Sequence, residues 1–573
     1  MKYLKYFVPL AFVAALAGPP RAFAEITIDL SYVDFGSTKY ARFKNYVDEA
    51  VANPGNPGYG FTATDAAYMF RLTGHASYCS FAVQLVDAQV TAAEQAISGG
   101  SAPEVASDSY LQSGPMISDL AITYDWCVAQ STSSQRTRWK NYAEQTVWNI
   151  WNYRNATWGG RPYPWSGWST DNPGDNYYYS FLTATMYWAL ADDSSAWRNF
   201  LAATAIPALE TYFADLEGGG SREGTGYGVS HKNLFLLYRM WRDSTQQDIA
   251  DTNTHLTDSI LYWTHATVPT LDQFAPFGDQ SRVSQPLLYD YHRHLMLEAR
   301  SMTDDPGAAA IASWWLDHIS VPQMTSSFNY RFDLLPAGTS GSPPAALYYH
   351  AAGTGHLFAR SSWGPGALWM AFAAGPFLES HAHQDQGSFM LYQDNWLAVT
   401  ENIWSHSGIQ QGTDVNNLVR FNKADGTLIP QRSGTTSTMT VTPGSSGAIE
   451  ANANLTSAYG SGSNVTSWTR DINFADHSLT VHDRYAVTGG ASGTFQINVP
   501  TRPTISGNTI TAGGLTIHVH TPVNPTITLV DWAQADSDYN SGWRIDIGGG
   551  AGEYLVQMST AAPPETVFAD GFD

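Results

Sequence analysis

Apolar residues recur at helical spacing in the first 345 residues and alternate with polar residues in most of the remainder. In the first part, Gly, Pro, Asn and Asp separate amphipathic segments that predict helices, at 67–72, 142–153, 178–190, 200–216, 232–241 and 311–318. In the second part, short alternating runs predict strands, at 347–360, 368–373, 388–399, 436–441, 479–487, 494–499, 515–520 and 526–530. We therefore predict an all-helical domain of helical hairpins, followed by an antiparallel β-sandwich.

The two ends of the chain differ from both patterns. Residues 1–24 combine Lys2 and Lys5 with a short apolar run and end in Ala-Phe-Ala, which is typical of a secretory signal peptide. The run is too short to span a bilayer as a permanent helix. We expect an exported protein, secreted or periplasmic, with a helical domain over 25–345, a β-sandwich domain over 346–562 and a short acidic-aromatic tail over 563–573.

Composition narrows the class of partner. The formal net charge is −22, and removal of the signal peptide makes it more negative, so nucleic acid is not an expected partner. Only 14% of residues are charged while 13% are aromatic, a composition that suits either carbohydrate contact or a large aromatic core. Cys79 and Cys127 would reach an oxidising compartment, where either a disulfide or two buried thiols fits the sequence.

The densest group of titratable residues is His381, His383 and Asp385, directly before an alternating apolar segment. In an extended chain these three side chains project from the same face, so we expect a polar site beside a β-strand. Such a cluster is costly to bury without partners and indicates acid/base chemistry or a metal. A surface or hydrogen-bonded core cluster is the alternative.

A helix start in the first half offers an anion site. Asn176 and Tyr177 lie at the predicted N-terminus of a helix, where free backbone N–H groups and the helix dipole attract negative charge. The alternative is that Asp175 or Asn176 is simply the N-cap.

A glycine-dense loop covers 218–228, and its large polar side chains are Arg222, Glu223 and Tyr227. Six glycines are entropically costly, so we predict close approach of the backbone to a ligand. The spacing fits neither a phosphate loop nor a dinucleotide-binding motif.

Several motifs together resemble the heparinase II/III-like polysaccharide lyases. They are Arg360-Ser-Ser-Trp363, Gly375-Pro376, His381-Ala-His383-Gln-Asp385, Gly387-Ser-Phe389 and Asn395-Trp-Leu397, with Asn176 and Glu223-Gly-Thr-Gly-Tyr227 earlier in the chain. The resemblance implies an N-terminal (α/α) toroid ahead of the β-sandwich.

The resemblance also implies β-elimination at a uronic acid of an acidic polysaccharide. Asn176 would hydrogen-bond the uronate carboxylate, and His381 would act as the base or as a group that neutralises the carboxylate. Tyr227 would be the general acid to O4, and a base on one sugar epimer if cationic neighbours lowered its pKa. The other expected substrate contacts are Tyr177, Arg222, Glu223 and Arg360.

The sequence departs from the family at two places. Relatives commonly carry Asn-His at the helix start, whereas this chain has Asn176-Tyr177. Many relatives bind a structural zinc, and the ligands that remain here are His383 and Glu401, a poor set for zinc. We therefore expect that no cofactor is required.

The negative net charge favours a polymer with a uronate only every few sugars over heavily sulfated heparin. The resemblance itself implies a substrate of a glycosaminoglycan or alginate type. A local cation cluster could offset the charge, and its expected members are Arg222, Arg282, Arg293, Arg360 and Arg420. Two other functions remain open. One is a non-catalytic glycan-binding protein, and the other is a glycoside hydrolase that would use Glu223 and Asp385.

Overall fold

The computed structural model describes residues 26–444 and 448–560. The predicted signal peptide, the end of the predicted sandwich domain at 561–562 and the predicted tail lie outside the described residues. In the part of the chain that is described, no helix has the length and apolar character needed to cross a membrane.

The first region is helical, as predicted. Its helices are α1 (Thr38–Ala52), α2 (Ala63–Thr73), α3 (Ala76–Ser98), α4 (Ser113–Trp126), α5 (Ser133–Trp151), α6 (Asn176–Ala191), α7 (Ser195–Phe200), α8 (Ile206–Ala214), α9 (Thr225–Gly228), α10 (His231–Thr245), α11 (His255–Ala266), α12 (Asp290–Met302) and α13 (Pro306–His318). A small hairpin of β1 (Thr157–Trp158) and β2 (Arg161–Pro162) interrupts them.

The second region is formed by antiparallel strands, also as predicted. They are β3 (Tyr348–Ala351), β4 (His356–Arg360), β5 (Trp369–Ala373), β6 (Pro376–Phe377), β7 (Phe389–Gln393), β8 (Asn395–Ala398), β9 (Val419–Asn422), β10 (Thr435–Thr436), β11 (Thr438–Pro443), β12 (Ile449–Asn454), β13 (Val465–Ala475), β14 (Ser478–Val487), β15 (Ser492–Val499), β16 (Thr504–Ser506), β17 (Thr509–Ala512), β18 (Leu515–Thr521), β19 (Thr526–Asp531), β20 (Trp543–Gly548) and β21 (Glu553–Thr560). A short helix, α14 (Trp532–Ala535), precedes β20.

These strands form three larger sheets. One has five strands in the order β3-β4-β5-β7-β8, one has eight in the order β11-β12-β13-β14-β21-β18-β17-β16, and one has four in the order β19-β20-β15-β9. Strands β6 and β10 make a separate pair. Side chains from all three larger sheets meet in one apolar core, so the strand region packs as a unit.

The five-stranded sheet joins the two regions because both of its faces are covered. Leu357 and Ala359 of β4 point into the core of the strand region, whereas Phe358 between them packs in the helical core. Strand β5 divides in the same way, with Met370 on one side and Trp369 on the other. This two-sided burial explains why β4 and β5 are buried at every position.

Within the helical region, Cys79 of α3 and Cys127, directly after α4, form a disulfide. This settles the choice between a disulfide and two free thiols. Helix α6 is buried along most of its length and packs closely on α4. A Cβ added to Gly114 of α4 would lie 2.7 Å from Ser180 Oγ of α6, so the two backbones approach as near as glycine allows.

Candidate active site

The glycine-dense loop 218–228 packs against the backbone of residues 277–280. Thr225 N–H donates to Phe277 O at 2.8 Å. Cβ atoms added to Gly224 and Gly226 would lie 2.3 Å from Phe277 O and 2.1 Å from Asp279 O. The prediction that these glycines permit approach of a ligand is therefore wrong at these positions, because it is the protein's own backbone that comes this close.

Asp279 is the centre of the site, and no sequence motif predicted it. Its Oδ2 lies 2.9 Å from His381 Nδ1, and its Oδ1 lies 2.8 Å from His383 Nε2. Gln411 Nε2 donates to both oxygens, at 3.1 and 3.2 Å. Burial opposes the charged form of Asp279, but these hydrogen bonds outweigh it and lower the pKa of the carboxyl to about 2. Asp279 is thus an anion that holds both histidines.

Residues 381–386 form a loop before β7 instead of an extended strand. His381 and His383 still converge, because both reach Asp279. Asp385 is buried beside His383, and burial raises the pKa of its carboxyl to about 6. The expectation of three groups on one strand face is corrected to two histidines that share a carboxylate from another segment.

Tyr227 and His381 are stacked, with ring centroids 3.6 Å apart and an interplanar angle of 10°. Burial raises the pKa of Tyr227, and the negative charges of Asp279 and Asp108 raise it further. The cationic neighbours that a tyrosine base requires are replaced by anionic ones. Tyr227 therefore keeps its proton at neutral pH.

Glu223 lies under this pair and is completely buried. Its Oε1 is 4.0 Å from His381 Nε2, and within the described residues neither carboxyl oxygen has a hydrogen-bond partner. Burial, with the charges of Asp175 and Glu379, raises the pKa of Glu223 well above its usual value, and the backbone N–H of Asn176 partly opposes this. Burial therefore favours the protonated, neutral form of Glu223.

Asn176 is the first residue of α6 and is not its cap. Asp175 Oδ1 accepts from Tyr177 N–H at 3.0 Å and so caps the helix. The side chain of Asn176 is thereby left free for another role, and its Oδ1 is buried without a partner among the residues described.

Tyr177 donates from its hydroxyl to Asp108 Oδ1 at 2.8 Å. Asp108, Ser109 and Tyr110 have φ angles of 44°, 51° and 65°, a left-handed conformation that is costly for residues other than glycine. Ser180 Oγ of α6 donates to Leu111 O at 2.5 Å and ties this turn to the helix. The phenol that replaces the family's histidine is thus held by an acidic residue.

Two predicted substrate contacts lie away from the stacked pair. Arg360 is 1% exposed, and its Nη2 donates to His265 O and Thr267 O at 3.0 and 2.8 Å. Arg222 donates to Gly353 O at 3.0 Å and Asp215 O at 3.1 Å. Both guanidinium groups hold backbone carbonyls, so we withdraw Arg360 as a substrate contact and assign Arg222 to joining the two regions.

The other arginines of the expected cation cluster are paired with carboxylates. Arg282 lies 2.9 Å from Asp290, Arg293 lies 2.7 Å from Asp333, and Arg420 lies 3.0 Å from Asp546. The expected local cation cluster is therefore replaced by separate ion pairs.

The predicted metal ligands His383 and Glu401 do not make a metal site in this arrangement. His383 Nε2 is held by Asp279, and a Cβ added to Gly542 would lie 1.8 Å from Glu401 Oε1. Burial raises the pKa of Glu401 to about 9. Across the described ranges, no group of three or more His, Cys, Asp or Glu side chains is placed to hold a metal ion.

Comparisons with known proteins show the fold. No protein-family model matches the chain, and no curated protein sequence does. The crystal structure of heparinase III matches with a TM-score of 0.58 and 12% identity, over 88% of this chain and 76% of that one. The heparan sulfate lyase HepC from Pedobacter heparinus gives 0.52 and 15%, over 93% and 79%. A chondroitinase AC lyase gives 0.50 and 9%, over 84% and 72%. The resemblance to a heparinase-like polysaccharide lyase is confirmed at the level of the fold.

Proposed function

We propose that the protein is an exported polysaccharide lyase that cleaves a uronate-containing polymer by β-elimination. The observation that carries the proposal is the stack of Tyr227 on His381, with His381 held by Asp279. Asn176 and Glu223 adjoin this pair. The likeness to lyase structures adds support from the fold.

β-Elimination requires three things of the site. The uronate carboxylate must be stabilised as C5 loses its proton, a base must accept that proton, and an acid must protonate the departing O4. The product then carries a C4–C5 double bond. Each requirement has a matching group among the residues around Tyr227.

Tyr227 suits the acid role because its pKa is raised and its proton is retained at neutral pH. His381 suits the base role because Asp279 accepts from Nδ1–H, which leaves the Nε2 lone pair for the C5 proton. The two rings lie face to face, which places the two groups next to each other. We expect both groups to act on the same face of the sugar.

A same-face arrangement predicts a preference between sugar epimers. In 4-linked glucuronate, H5 and O4 lie on the same face of the ring, and in its C5 epimer iduronate they lie on opposite faces. We therefore expect glucuronate-containing polymers to be cleaved faster than their iduronate-containing counterparts.

In this proposal, hydrogen bonds stabilise the uronate carboxylate, and a cluster of cations is not required. Asn176 offers an amide and the first turn of α6 offers backbone N–H groups. The raised pKa of Glu223 favours its neutral form, which adds no charge to repel the uronate. This arrangement suits a polymer of low charge density.

The hydrolase alternative has less support than the lyase. It needs two carboxyl groups on opposite sides of a bound sugar. Glu223 is completely buried and Asp385 is 8% exposed, so neither is open to substrate in this structure.

The decisive experiment measures ultraviolet absorbance while the purified protein acts on a panel of acidic polysaccharides. Elimination creates an absorbing unsaturated uronate, whereas hydrolysis creates reducing ends without that absorbance and a binding protein gives neither.

Tyr227→Phe should lower turnover by about 100-fold or more while the fold is retained. Tyr40→Phe on α1 is the matched control and should leave turnover unchanged. Normal turnover in Tyr227→Phe would remove Tyr227 from the mechanism.

A further inference from the structure

A cleft of about 490 Å³ lies beside the candidate active site, between the loop before α6 and the loop before His381. The helical region contributes Trp168, Asp171, Asn172 and Asp175, and the strand region contributes Leu378 and Glu379. Asp175 directly precedes Asn176, and Glu379 stands two positions before His381. The cleft is therefore lined by the segments that lead directly into two catalytic groups of the proposed lyase.

The two walls of the cleft are fixed to each other by Glu379. Asn172 Nδ2 donates to Glu379 Oε2 at 2.7 Å, and Tyr212 O–H donates to Oε1 at 2.9 Å. Gly174 leaves no space between them, because a Cβ there would lie 2.1 Å from the Tyr212 hydroxyl oxygen. The cleft is thus a preformed feature of the junction between the regions.

The cleft combines an exposed aromatic face with hydrogen-bond acceptors. Trp168 is 49% exposed and Leu378 is 43% exposed, although tryptophan and leucine are usually buried in folded proteins. An indole face packs well on the C–H face of a pyranose ring. The exposed carboxylate of Asp171 can accept hydrogen bonds from sugar hydroxyls, whereas Asp175 and Glu379 are buried and already accept hydrogen bonds within the protein.

The charge of the lining selects among sugars. The residues that line the cleft include three carboxylates, Asp171, Asp175 and Glu379, and neither lysine nor arginine. A sulfate or a second uronate would meet negative charge without a neutralising partner. An uncharged sugar would instead exchange water for carboxylate acceptors and the indole face.

We propose that this cleft is a subsite for an uncharged sugar residue, with Trp168 as its stacking platform and Asp171 as a determinant that rejects sulfate. That this sugar lies next to the uronate to be cleaved rests on the proposed lyase function. It specifies the substrate class as a polymer in which unsulfated neutral sugars flank the uronate.

The first test measures binding by calorimetry and does not require turnover. Neutral hexasaccharides of glucose, mannose, xylose and galactose are titrated into the full protein and into Trp168→Ala and Trp148→Ala. Trp148 is an exposed tryptophan of α5 outside the cleft and serves as the matched control. We expect at least one hexasaccharide to bind, with a Kd raised about 10-fold or more by Trp168→Ala and unchanged by Trp148→Ala. Failure of all four to bind, or equal effects of the two variants, would overturn the proposal.

The second test addresses charge. The hexasaccharide that binds best is compared with its chemically sulfated form, in the natural protein and in Asp171→Lys. We expect sulfation to weaken binding about 10-fold or more, and Asp171→Lys to reduce that difference. Tighter binding of the sulfated form to the natural protein would refute the role of the cleft in rejecting sulfate.

The two proposals fail separately. If no polymer gives ultraviolet absorbance while Trp168-dependent binding persists, the lyase proposal is wrong and the cleft belongs to a glycan-binding protein. If elimination occurs but the Trp168 variant binds and cleaves normally, the subsite is wrong and the lyase proposal stands.

Discussion

Two places in the molecule, one in the strand region and one beneath the candidate active site, treat a completely buried carboxyl group in opposite ways. In the strand region, Asp483 accepts from Arg470 Nε at 2.8 Å and Nη2 at 2.7 Å, and from Trp468 Nε1 at 2.6 Å. Beneath the candidate active site, neither carboxyl oxygen of Glu223 makes such a hydrogen bond within the described residues, and the backbone N–H of Asn176 opposes the rise in its pKa only in part. Donors around a buried carboxyl favour its charged form, and their absence favours its protonated form. The first arrangement stabilises the fold, and the second places a carboxyl with a raised pKa beside His381.

The largest expected effect comes from breaking the buried ion pair of Arg470 and Asp483. Asp483→Ala leaves Arg470 buried without its counter-charge and should lower the free energy of unfolding by about 3–5 kcal/mol. Asp471→Ala removes the partner of Arg484 in a solvent-exposed pair and should cost less than about 1 kcal/mol. Denaturant titration followed by tryptophan fluorescence measures both. Equal losses would show that burial of the pair does not set its importance.

The next effect concerns activity. Asp279→Asn replaces the anion that accepts from both histidines, so His381 loses its orienting charge, and kcat should fall about 100-fold or more. Asp385→Asn, in the same loop as His383, is the matched control and should lower kcat by less than about 10-fold. The rise in absorbance during elimination measures both. A near-normal kcat in Asp279→Asn would separate Asp279 from catalysis.

A smaller effect is expected from the pH dependence of stability. The pKa of Glu223 is raised by folding, so between the unfolded and folded pKa values the folded state binds the extra proton. Stability from this group is therefore lost as the pH rises through that interval, by about 1.4 kcal/mol for each pH unit. Glu223→Gln cannot ionise and should escape this loss.

Denaturant titrations of the natural protein and Glu223→Gln at several pH values above about 4.5 provide the measurement. The difference in unfolding free energy should shift in favour of the variant as pH increases. A difference that is constant with pH would mean that Glu223 is already ionised in the folded protein.

The smallest effect is expected from removal of metal. Because His383 is held by Asp279, and no group of three or more metal-binding side chains is placed together in the described residues, a strong chelator should change the unfolding free energy by less than about 0.5 kcal/mol. It should also leave turnover intact. Stoichiometric zinc in elemental analysis, with unfolding after its removal, would show that the ligands lie elsewhere.

The parts of the site that the sequence predicted come from short motifs. Asn176, Glu223, Tyr227 and His381 were recognised from local patterns, and the fold brings all four together. Their roles in catalysis remain predictions. Arg222 and Arg360 were expected at the site because the sequence shows a charge without showing which way the side chain points.

Asp279 could not be predicted in this way. It stands alone in Gly278-Asp279-Gln280 and is 102 positions from His381. The position of Gly278 becomes meaningful only in the fold, where a Cβ would lie 2.4 Å from Glu223 O and 2.8 Å from His381 O. No local motif marks Asp279, because its contacts with His381 and His383 join two segments that are far apart in the sequence.

The sequence by itself determined the order of helices before strands, because hydrophobic periodicity is a local property of the backbone. It also determined which residues carry candidate chemistry. The tertiary structure alone decided that the pKa of Asp279 is lowered while that of Glu223 is raised, that the five-stranded sheet serves two cores, and that an acidic cleft opens beside the site. These depend on burial and on donors from distant segments, and such surroundings exist only once the chain has folded.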